Sequence, residues 1–281
     1  MWFFLALLSG FLFATNRLLV RATLTKQINP MLFGAAHEIL AGLLLLPLGL
    51  FYFSLPHSVH TWIALFVGMF FIFLCDLLAF LALEKIEASV YQIIGQLRHV
   101  IVLFSAYFLL TEAITVTKIV SIILIILGVY AALIVKSHIT ITKGTLYAFL
   151  STVFISFAFL AIKIVTVDVS PAFSGALSLL FSGFAISTIL LTKRTKPTKM
   201  IAIIRNKQLL LAAGIFALFE FSLFTALEIG QASKVTPVNQ SSLVFTLLGG
   251  YLFLNERDLL KQKIFGSALI AIGIALLYFI Q

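Results

Sequence analysis

Charge is scarce in this sequence. Asp, Glu, Lys and Arg together make up 10% of the 281 residues, while hydrophobic residues make up 62% and the mean hydropathy is +1.18. A soluble domain is about half apolar and about a quarter charged. So little charge excludes a soluble fold, because no compact domain can hide this much apolar surface, and it indicates a chain whose solvent is lipid.

Cysteines and catalytic motifs are equally rare. Cys75 is the only cysteine, which excludes an intrachain disulfide. The motifs HExxH and GxSxG are absent, and no His/Cys cluster has metal-ligand spacing, so the sequence predicts no catalytic residue, no metal and no cofactor. The net charge of +9 lies in short loops and not on a folded domain, which argues against nucleic acid as a partner.

What the sequence has instead is a series of apolar runs of about 20 residues, separated by short polar breaks. None of the runs alternates polar with apolar residues, and lipid offers no partner to an open sheet edge, so each run predicts a helix. The first run has no basic segment before it and no small-residue cleavage site, which favours a retained span over a signal peptide. The ten predicted transmembrane helices cover residues 2–21, 31–53, 61–83, 88–110, 114–135, 144–165, 171–192, 208–228, 233–253 and 261–280.

One stretch, 82–112, occurs a second time as 226–256, and the two copies align without a gap. A period this long is no solenoid repeat and indicates a duplicated half-protein. In a membrane chain this favours a transporter with halves 1–139 and 140–281. Five helices in each half make the two repeats inverted, around a central cavity. The alignment pairs Ala88-Ser89 with Ala232-Ser233, Gln96 with Gln240, Glu112 with Glu256 and, upstream, Asp76 with Glu220.

Lysine and arginine concentrate in alternate loops. If the N-terminus is outside, the inward loops hold nearly all of them, and the outward side keeps little beyond Lys118 and Lys234. The reverse orientation breaks the positive-inside rule, so the charge distribution favours both termini outside. The densest basic group is Lys193, Arg194, Lys196, Lys199, Arg205 and Lys207.

The two copies end with the same sequence pattern. An Ala-Ser pair opens a helix, an apolar run ends in YFLLTE or YLFLNE, and a glycine-containing helix follows (KIVSIILIILGVY and KIFGSALIAIGIALLY). Over nearly the whole chain, the sequence resembles the EamA-type ten-helix transporters of the drug/metabolite transporter superfamily. The resemblance implies two inverted five-helix repeats, a central cavity and alternating access, but no particular substrate. This chain has His99 and Leu243 where the family usually has a proline, and the family tends to keep both termini inside, against the charge distribution.

Charged residues inside predicted spans need a reason, since each costs about 2.5–3.5 kcal/mol at bilayer depth. Arg98 is the strongest candidate for a substrate site, because it lies in mid-span and a guanidinium suits a carboxylate or a phosphate. Helical spacing places Tyr91 and Arg98 on one face and Gln92, Gln96 and His99 on an adjacent one. The alternative for Arg98 is a structural ion pair with an acidic residue of a neighbouring span.

Three acidic residues also lie within predicted spans. Asp76 and Glu220 hold equivalent positions in the two copies, and we expect one or both to bind a substrate ammonium or to carry a coupling proton. Glu38 lies between two glycines at four-residue spacing, which favours close helix packing and a carboxylate that lines the cavity. His37 is interpreted as a satisfied interior histidine that points away from Glu38. The alternative for each acid is to satisfy a polar group on a neighbouring helix.

A neutral polar patch in the second copy stands where the first copy has Arg98. It is expected to face the cavity, and the alternative is that its side chains form hydrogen bonds between helices. Arg17 and Lys163 lie close to the ends of their predicted spans and are expected to snorkel to the surface. The remaining candidates for the cavity wall are Asn16, Asn239, Gln240 and Ser242.

The sequence therefore predicts a secondary transporter in the inner (plasma) membrane, without enzymatic activity. Its predicted substrate is a small polar or zwitterionic metabolite such as an amino acid, exported by alternating access, with the carboxylate on Arg98 and the amine on the acidic residues. A proton is the expected coupling ion. The alternative is an organic-anion or nucleotide-sugar exchanger that uses Arg98 with Lys163 or Arg17. Two rival classes are an intramembrane protease, disfavoured because Asp76 lacks a glycine pattern, and a non-transporting scaffold.

Overall fold

The computed structural model describes residues 1–26, 28–110, 115–135, 138–139, 142–166, 168–195, 202–230, 235 and 238–279, and of 106–110, 134–135, 138–139, 228 and 277–279 the backbone alone. The described residues include one two-residue antiparallel pair, β1 (Ile134–Val135) and β2 (His138–Ile139). The helices are α1 (Trp2–Leu24), α2 (Pro30–Phe51), α3 (Val59–Lys85), α4 (Ala88–Gly95), α5 (Leu97–Leu110), α6 (Val116–Leu133), α7 (Lys143–Val165), α8 (Pro171–Thr192), α9 (Lys207–Ile229), α10 (Ser242–Phe253) and α11 (Leu260–Phe279).

Several helices begin where the sequence supplies an N-cap. The side chain of Asn29 accepts a hydrogen bond of 3.0 Å from the amide of Leu32, and Pro30 occupies the first helical position, where no donor is needed. Ser170 and Pro171 begin α8 in the same way. The polar breaks between the apolar runs therefore contain the caps that start the next helices.

The fourth predicted span, 88–110, is interrupted at Gln96, which separates α4 from α5. There the amide of His99 donates to the carbonyl of Gln96 at 3.1 Å, three residues back instead of four. The aligned amide of the second copy, that of Leu243, donates to the carbonyl of Gln240 at 3.0 Å. Both copies thus contain a tightened turn at the same aligned position, and neither uses a proline to make it.

The core lies largely between the two halves of the chain. The most extensive contacts join α1 with α9, α2 with α8, α3 with α7 and α6 with α11, so each pair takes one helix from either half. Close approach of α2 and α8 depends on Gly42, where an added Cβ would lie 2.9 Å from the Leu180 side chain. Seven described helices, α1, α2, α3 and α6 to α9, are long and apolar enough to cross a membrane.

Charge distinguishes the two ends of the bundle. At one end, called here the basic end, Arg21 of α1 donates to the last carbonyls of α3, and Lys26 donates to Gln208 at the start of α9. At the opposite end, Thr61 of α3 donates to Asp168, which joins the α2–α3 and α7–α8 connections. The alternation of the helices also places at the basic end Lys85, Lys143, Lys193, Arg194, Arg205, Lys207, Arg257, Lys261 and Lys263.

Candidate functional site

Four ionisable side chains, each from a different helix, meet in the interior. Arg17 of α1 is 7% exposed, Glu38 of α2 is 1% and Asp76 of α3 is 9%, while Glu220 of α9 is half-buried. Arg17 interacts electrostatically with all three carboxylates, and the carboxylates interact with one another. These four residues, called here the acid cluster, set one guanidinium against three carboxyl groups.

Arg17 lies among aromatic rings. Its guanidinium carbon is 4.7 Å from the ring centre of Phe13 and 5.7 Å from the ring centres of Tyr91 and Phe216. Cation–π contacts of this kind stabilise a desolvated guanidinium, and among the described residues no carboxylate forms an ion pair with Arg17 within 4 Å. The expectation that Arg17 snorkels is wrong, because α1 continues to Leu24 and leaves Arg17 about two turns from the helix end.

Asn16 and His37 fix the orientation of Glu38. The amide nitrogen of Asn16 donates to the carbonyl of Ala212 at 2.9 Å and to Nε2 of His37 at 3.0 Å. Because an amide nitrogen only donates, Nε2 accepts, and the ring proton lies on Nδ1, which donates to Glu38 Oε1 at 2.9 Å. Both ring nitrogens are therefore satisfied, as predicted. The prediction that His37 points away from Glu38 is wrong, because its Nδ1 edge reaches the next side chain along α2.

Several buried polar atoms of this region have no hydrogen-bond partner among the described residues. Ser182 of α8 contributes one of them, because its hydroxyl interacts with the carboxylate of Asp76 but does not reach hydrogen-bond geometry. Buried polar atoms in proteins nearly always have a partner, from the protein or from ordered water. Their presence here indicates a place that can receive a polar ligand or water, and further atoms of this kind lie on Gln96 and Gln240. The atoms of this region are Asn16 Oδ1, Arg17 Nε, Glu38 Oε2, Asp76 Oδ2 and Ser182 Oγ.

One face of α4 and α5 is turned towards α7. The hydroxyl of Tyr91 lies 3.3 Å from Ser151 Oγ, and the guanidinium of Arg98 lies 5.7 Å from the ring centre of Phe159. Tyr91 and Arg98 thus share a face, as their spacing predicts. Arg98 is half-buried on α5, and Arg17 interacts with all three carboxylates of the acid cluster.

The adjacent face of α4 and α5 meets the second half of the chain. Nε2 of Gln92 donates to Ser242 Oγ at 2.9 Å, and His99 lies beside Gln240. Gln96 donates back to the carbonyl of Gln92 at 3.1 Å. These five residues, called here the amide group, are all buried at the two helix interruptions.

The sequence-predicted residues therefore separate into two groups, with Arg98 on the face turned towards α7 and Asn239 outside both groups. Asn16, Glu38, Asp76 and Glu220 belong to the acid cluster or its hydrogen-bond chain, and Tyr91 borders it through its ring contact with Arg17. Gln92, Gln96, His99, Gln240 and Ser242 form the amide group. Asn239 lies apart from both, since its side chain donates to Ser9 Oγ at 2.8 Å.

The structure contains a further buried carboxylate, that of Glu256, which the sequence marks only by its alignment with Glu112. Glu256, 7% exposed, follows α10 and accepts hydrogen bonds from the amides of Ala88 and Ser89 at 2.8 and 3.2 Å and from the Ser89 hydroxyl at 2.8 Å. Beside it, Lys263 of α11 forms an ion pair with Glu87. The five residues in these contacts, called here the basic-end joint, tie the start of α4 to the second half of the chain. The signal for it was the Ala-Ser pair and the glutamate that recur in both copies.

Within the described part of the chain, no group of three or more His, Cys, Asp or Glu side chains is arranged to hold a metal ion. Cys75 is buried, and its sulfur lies 3.3 Å from the hydroxyl of Ser151. Chemistry at this site therefore rests on the charges, amides and hydroxyls described above.

Known proteins share both the sequence pattern and the fold. The model of a family described as the EamA-like transporter family matches residues 1–134 and 142–279. One solved crystal structure, of a protein described without a function, matches 98% of this chain and 96% of its own at 16% identity, with a TM-score of 0.63. At that identity the likeness concerns the fold alone. No curated protein matches this chain.

Proposed function

The chain belongs to the EamA-like transporter family, and from that membership we propose that it exports a small polar or zwitterionic metabolite, such as an amino acid, by alternating access. It is a membrane transporter and not an enzyme. The observation that carries the proposed substrate class is the acid cluster, which offers a guanidinium and several carboxylates together in the interior.

The cluster offers complementary groups for both ends of a zwitterion. A substrate ammonium fits the unpartnered oxygens Glu38 Oε2 and Asp76 Oδ2, and a substrate carboxylate fits the guanidinium of Arg17, whose Nε is also unpartnered among the described residues. Charge-assisted hydrogen bonds of this kind are about twice as strong as neutral ones. In this proposal Arg17 takes the role that the sequence suggested for Arg98.

The excess of carboxyl groups over guanidinium supports a coupling ion. With three acids and one base, the acid cluster carries surplus negative charge when all four groups are ionised. A substrate ammonium or a proton offsets that surplus, and the two compete for the same oxygens. We therefore propose proton-coupled exchange, in which a proton replaces the amine after the substrate leaves.

The architecture proposed for this cycle is ten spans in two inverted repeats, 1–139 and 140–281. It is supported by the tightened turn at equivalent positions of the two copies, at His99 and Leu243, because interrupted helices often form the binding sites of transporters. The concentration of lysine and arginine at the basic end supports a cytoplasmic basic end in the plasma membrane, with both termini on the other side.

A ligand-stabilisation assay tests the substrate class. The purified protein is heated with amino acids, nucleotide sugars and organic cations at pH 6 and pH 8, and a ligand at about 100 times its Kd adds about 2.7 kcal/mol of stability. We expect an amino acid to stabilise the protein more at pH 8, because protons compete for the carboxylates. Stabilisation by nucleotide sugars alone would instead support the organic-anion alternative.

A matched pair of arginine variants tests the site. We expect Arg17→Ala to lose the stabilisation by ligand and Arg98→Ala to keep it. Loss in Arg98→Ala with retention in Arg17→Ala would return the substrate carboxylate to Arg98 and to the face that it shares with Tyr91. Asp76→Asn and Glu220→Gln test the ammonium position in the same assay, and full retention of ligand binding in both would contradict it.

A further inference from the structure

The contact between Glu256 and α4 is a helix cap supplied by the other half of the chain. The first residue before α4, Glu87, forms no side-chain cap with the helix that it precedes. Instead both carboxylate oxygens of Glu256 are used, Oε1 by the amide of Ala88 and Oε2 by the amide and hydroxyl of Ser89. A carboxylate at a helix N-terminus is favoured both by the free amides and by the helix dipole.

The chain around Glu256 is shaped to turn its carboxylate back towards α10. Its amide donates to the carbonyl of Gly250 at 2.9 Å, and Asn255 adopts a positive φ of 58°. A Cβ added at Gly250 would lie 2.6 Å from Glu256 Oε2, so any larger residue there displaces the carboxylate from its present place. In the aligned first copy the equivalent residue is Ala106, so the two copies are not equal here.

The helices α4 and α10 also meet further from the basic end, at the hydrogen bond between Gln92 of α4 and Ser242 of α10. Ser242, Thr246 and Gly250 recur at four-residue spacing and so share one face of α10. That face is turned to α4 at both ends, through Ser242 and through the carboxylate that folds over Gly250. At the basic end, α4 and the end of α10 are therefore joined by the basic-end joint.

On the transport function proposed above, we propose that Glu256 is the positioning residue that holds this end of the transport path shut. While its carboxylate caps α4, the path between α4 and α10 is closed at the basic end. Opening there requires Glu256 to leave the amides of Ala88 and Ser89, which then lose their partner. The cap thus sets how often the basic end opens, without touching the substrate.

Cysteine labelling tests this proposal, since Cys75 is the only native thiol. In a Cys75→Ala background, Thr246→Cys places a reporter on the closed face of α10, at a position that is fully buried. A membrane-impermeant maleimide is added to membrane vesicles from either side, and Asp258→Cys, at an exposed position of the α10–α11 connection, marks the basic-end side. No substrate is present, so the outcome is independent of whether the proposed substrate class is right.

We expect Glu256→Gln to raise the labelling rate of the reporter from the basic-end side about tenfold, since weakening a charge-assisted hydrogen bond shifts an opening equilibrium by roughly that factor. Asp258→Asn, which removes an exposed carboxylate of the same connection, is the matched control and should label like the parent. Gly250→Ala should act like Glu256→Gln, because it displaces the carboxylate without removing its charge.

Equal labelling in Glu256→Gln and Asp258→Asn would overturn the proposal, as would a rise of the same size from both sides, which indicates general loosening. If Glu256→Gln does not fold, Ser89→Ala replaces it, because this variant removes one of the three donors and keeps the carboxylate. Unchanged basic-end labelling in Ser89→Ala and Gly250→Ala together would equally contradict the assigned role.

Discussion

The acid cluster and the basic-end joint are both largely buried and both contain charged residues. They differ in whether their carboxylate oxygens have hydrogen-bond partners. In the joint, both oxygens of Glu256 accept hydrogen bonds and Glu87 pairs with Lys263. In the acid cluster, Glu38 and Asp76 each keep a buried oxygen with no partner among the described residues. Both groups lie in a chain in which only 10% of the residues are charged.

The difference indicates what each group is for. A buried charge whose atoms are all bonded holds parts of the protein together, and its loss is felt as lost stability. A buried charged group with an unpartnered polar atom lowers stability. Such a group is retained where that atom binds a ligand. The joint should therefore answer to tests of stability and of opening at the basic end, and the acid cluster to tests of substrate binding and transport.

The sharpest test of the joint is Lys263→Met. Lys263 is 2% exposed, and its removal leaves the Glu87 carboxylate without its cation. We expect the free energy of unfolding in detergent to fall by about 3 kcal/mol, the lower end for a broken buried pair because Glu87 keeps some exposure. Lys261→Met, at an exposed position of the same helix, is the control. A double variant with Glu87→Gln should recover part of the loss.

The corresponding test of the acid cluster is Asp76→Asn. We expect transport to fall about 100-fold, the equivalent of roughly 2.7 kcal/mol of binding, while the free energy of unfolding stays equal or rises. The reason is that the substitution removes a buried charge whose Oδ2 has no described partner. Unfolding in detergent and uptake into proteoliposomes are measured on one preparation. A large loss of stability with transport intact would remove the distinction between the two groups.

Asn16→Ala probes the satisfied part of the acid cluster. The substitution leaves His37 Nε2 and the carbonyl of Ala212 without their donor, which should cost about 1–3 kcal/mol of stability. Because His37 then no longer holds Glu38 in one orientation, we expect a smaller loss of transport than in Asp76→Asn. Transport and unfolding that both match the parent would show that the chain from Asn16 to Glu38 does no positioning.

The smallest effect is expected at the opposite end, at Asp168. Hydrogen bonds from the Thr61 hydroxyl at 2.7 Å and from the His57 amide at 3.2 Å hold the pKa of Asp168 below its ordinary value. A lowered folded-state pKa contributes stability above the unfolded pKa of about 3.9, and that contribution is lost as the pH falls through the folded pKa. Asp168→Asn should thus be slightly less stable than the parent at pH 7 and equal to it once the pH lies below the folded-state pKa of Asp168. A difference that grows towards acid pH would contradict this assignment.

Much of the helical organisation follows from hydrophobic runs and caps. Asn29-Pro30 and Ser170-Pro171 mark helix starts because their side chains and ring geometry act within one turn. The depth of Arg17 does not follow from the same pattern. The hydropathy pattern predicts that the first helix ends at Arg21, a charged residue, but Arg21 donates to the last carbonyls of α3, and α1 continues to Leu24.

The partners within the site were harder to foresee than the site's composition. The repeat directed attention to Asp76 and Glu220, but nothing local distinguishes Arg17 from Arg98 as the cation that interacts with them. Glu256 and Ala88 are 168 residues apart in sequence, and their contact depends on how the two halves pack. Adjacent helix positions diverge, which is why His37 was expected to point away from Glu38, yet the reach of an imidazole ring bridges that angle.

The turns at His99 and Leu243 are made from ordinary amides, and this has a consequence for movement. A proline would bend each helix permanently, since its ring can neither donate nor fit a straight helix. A three-residue hydrogen bond can slide to the four-residue carbonyl without leaving any donor behind. Each of these turns can therefore straighten without losing a backbone hydrogen bond, which a proline at the same position would prevent.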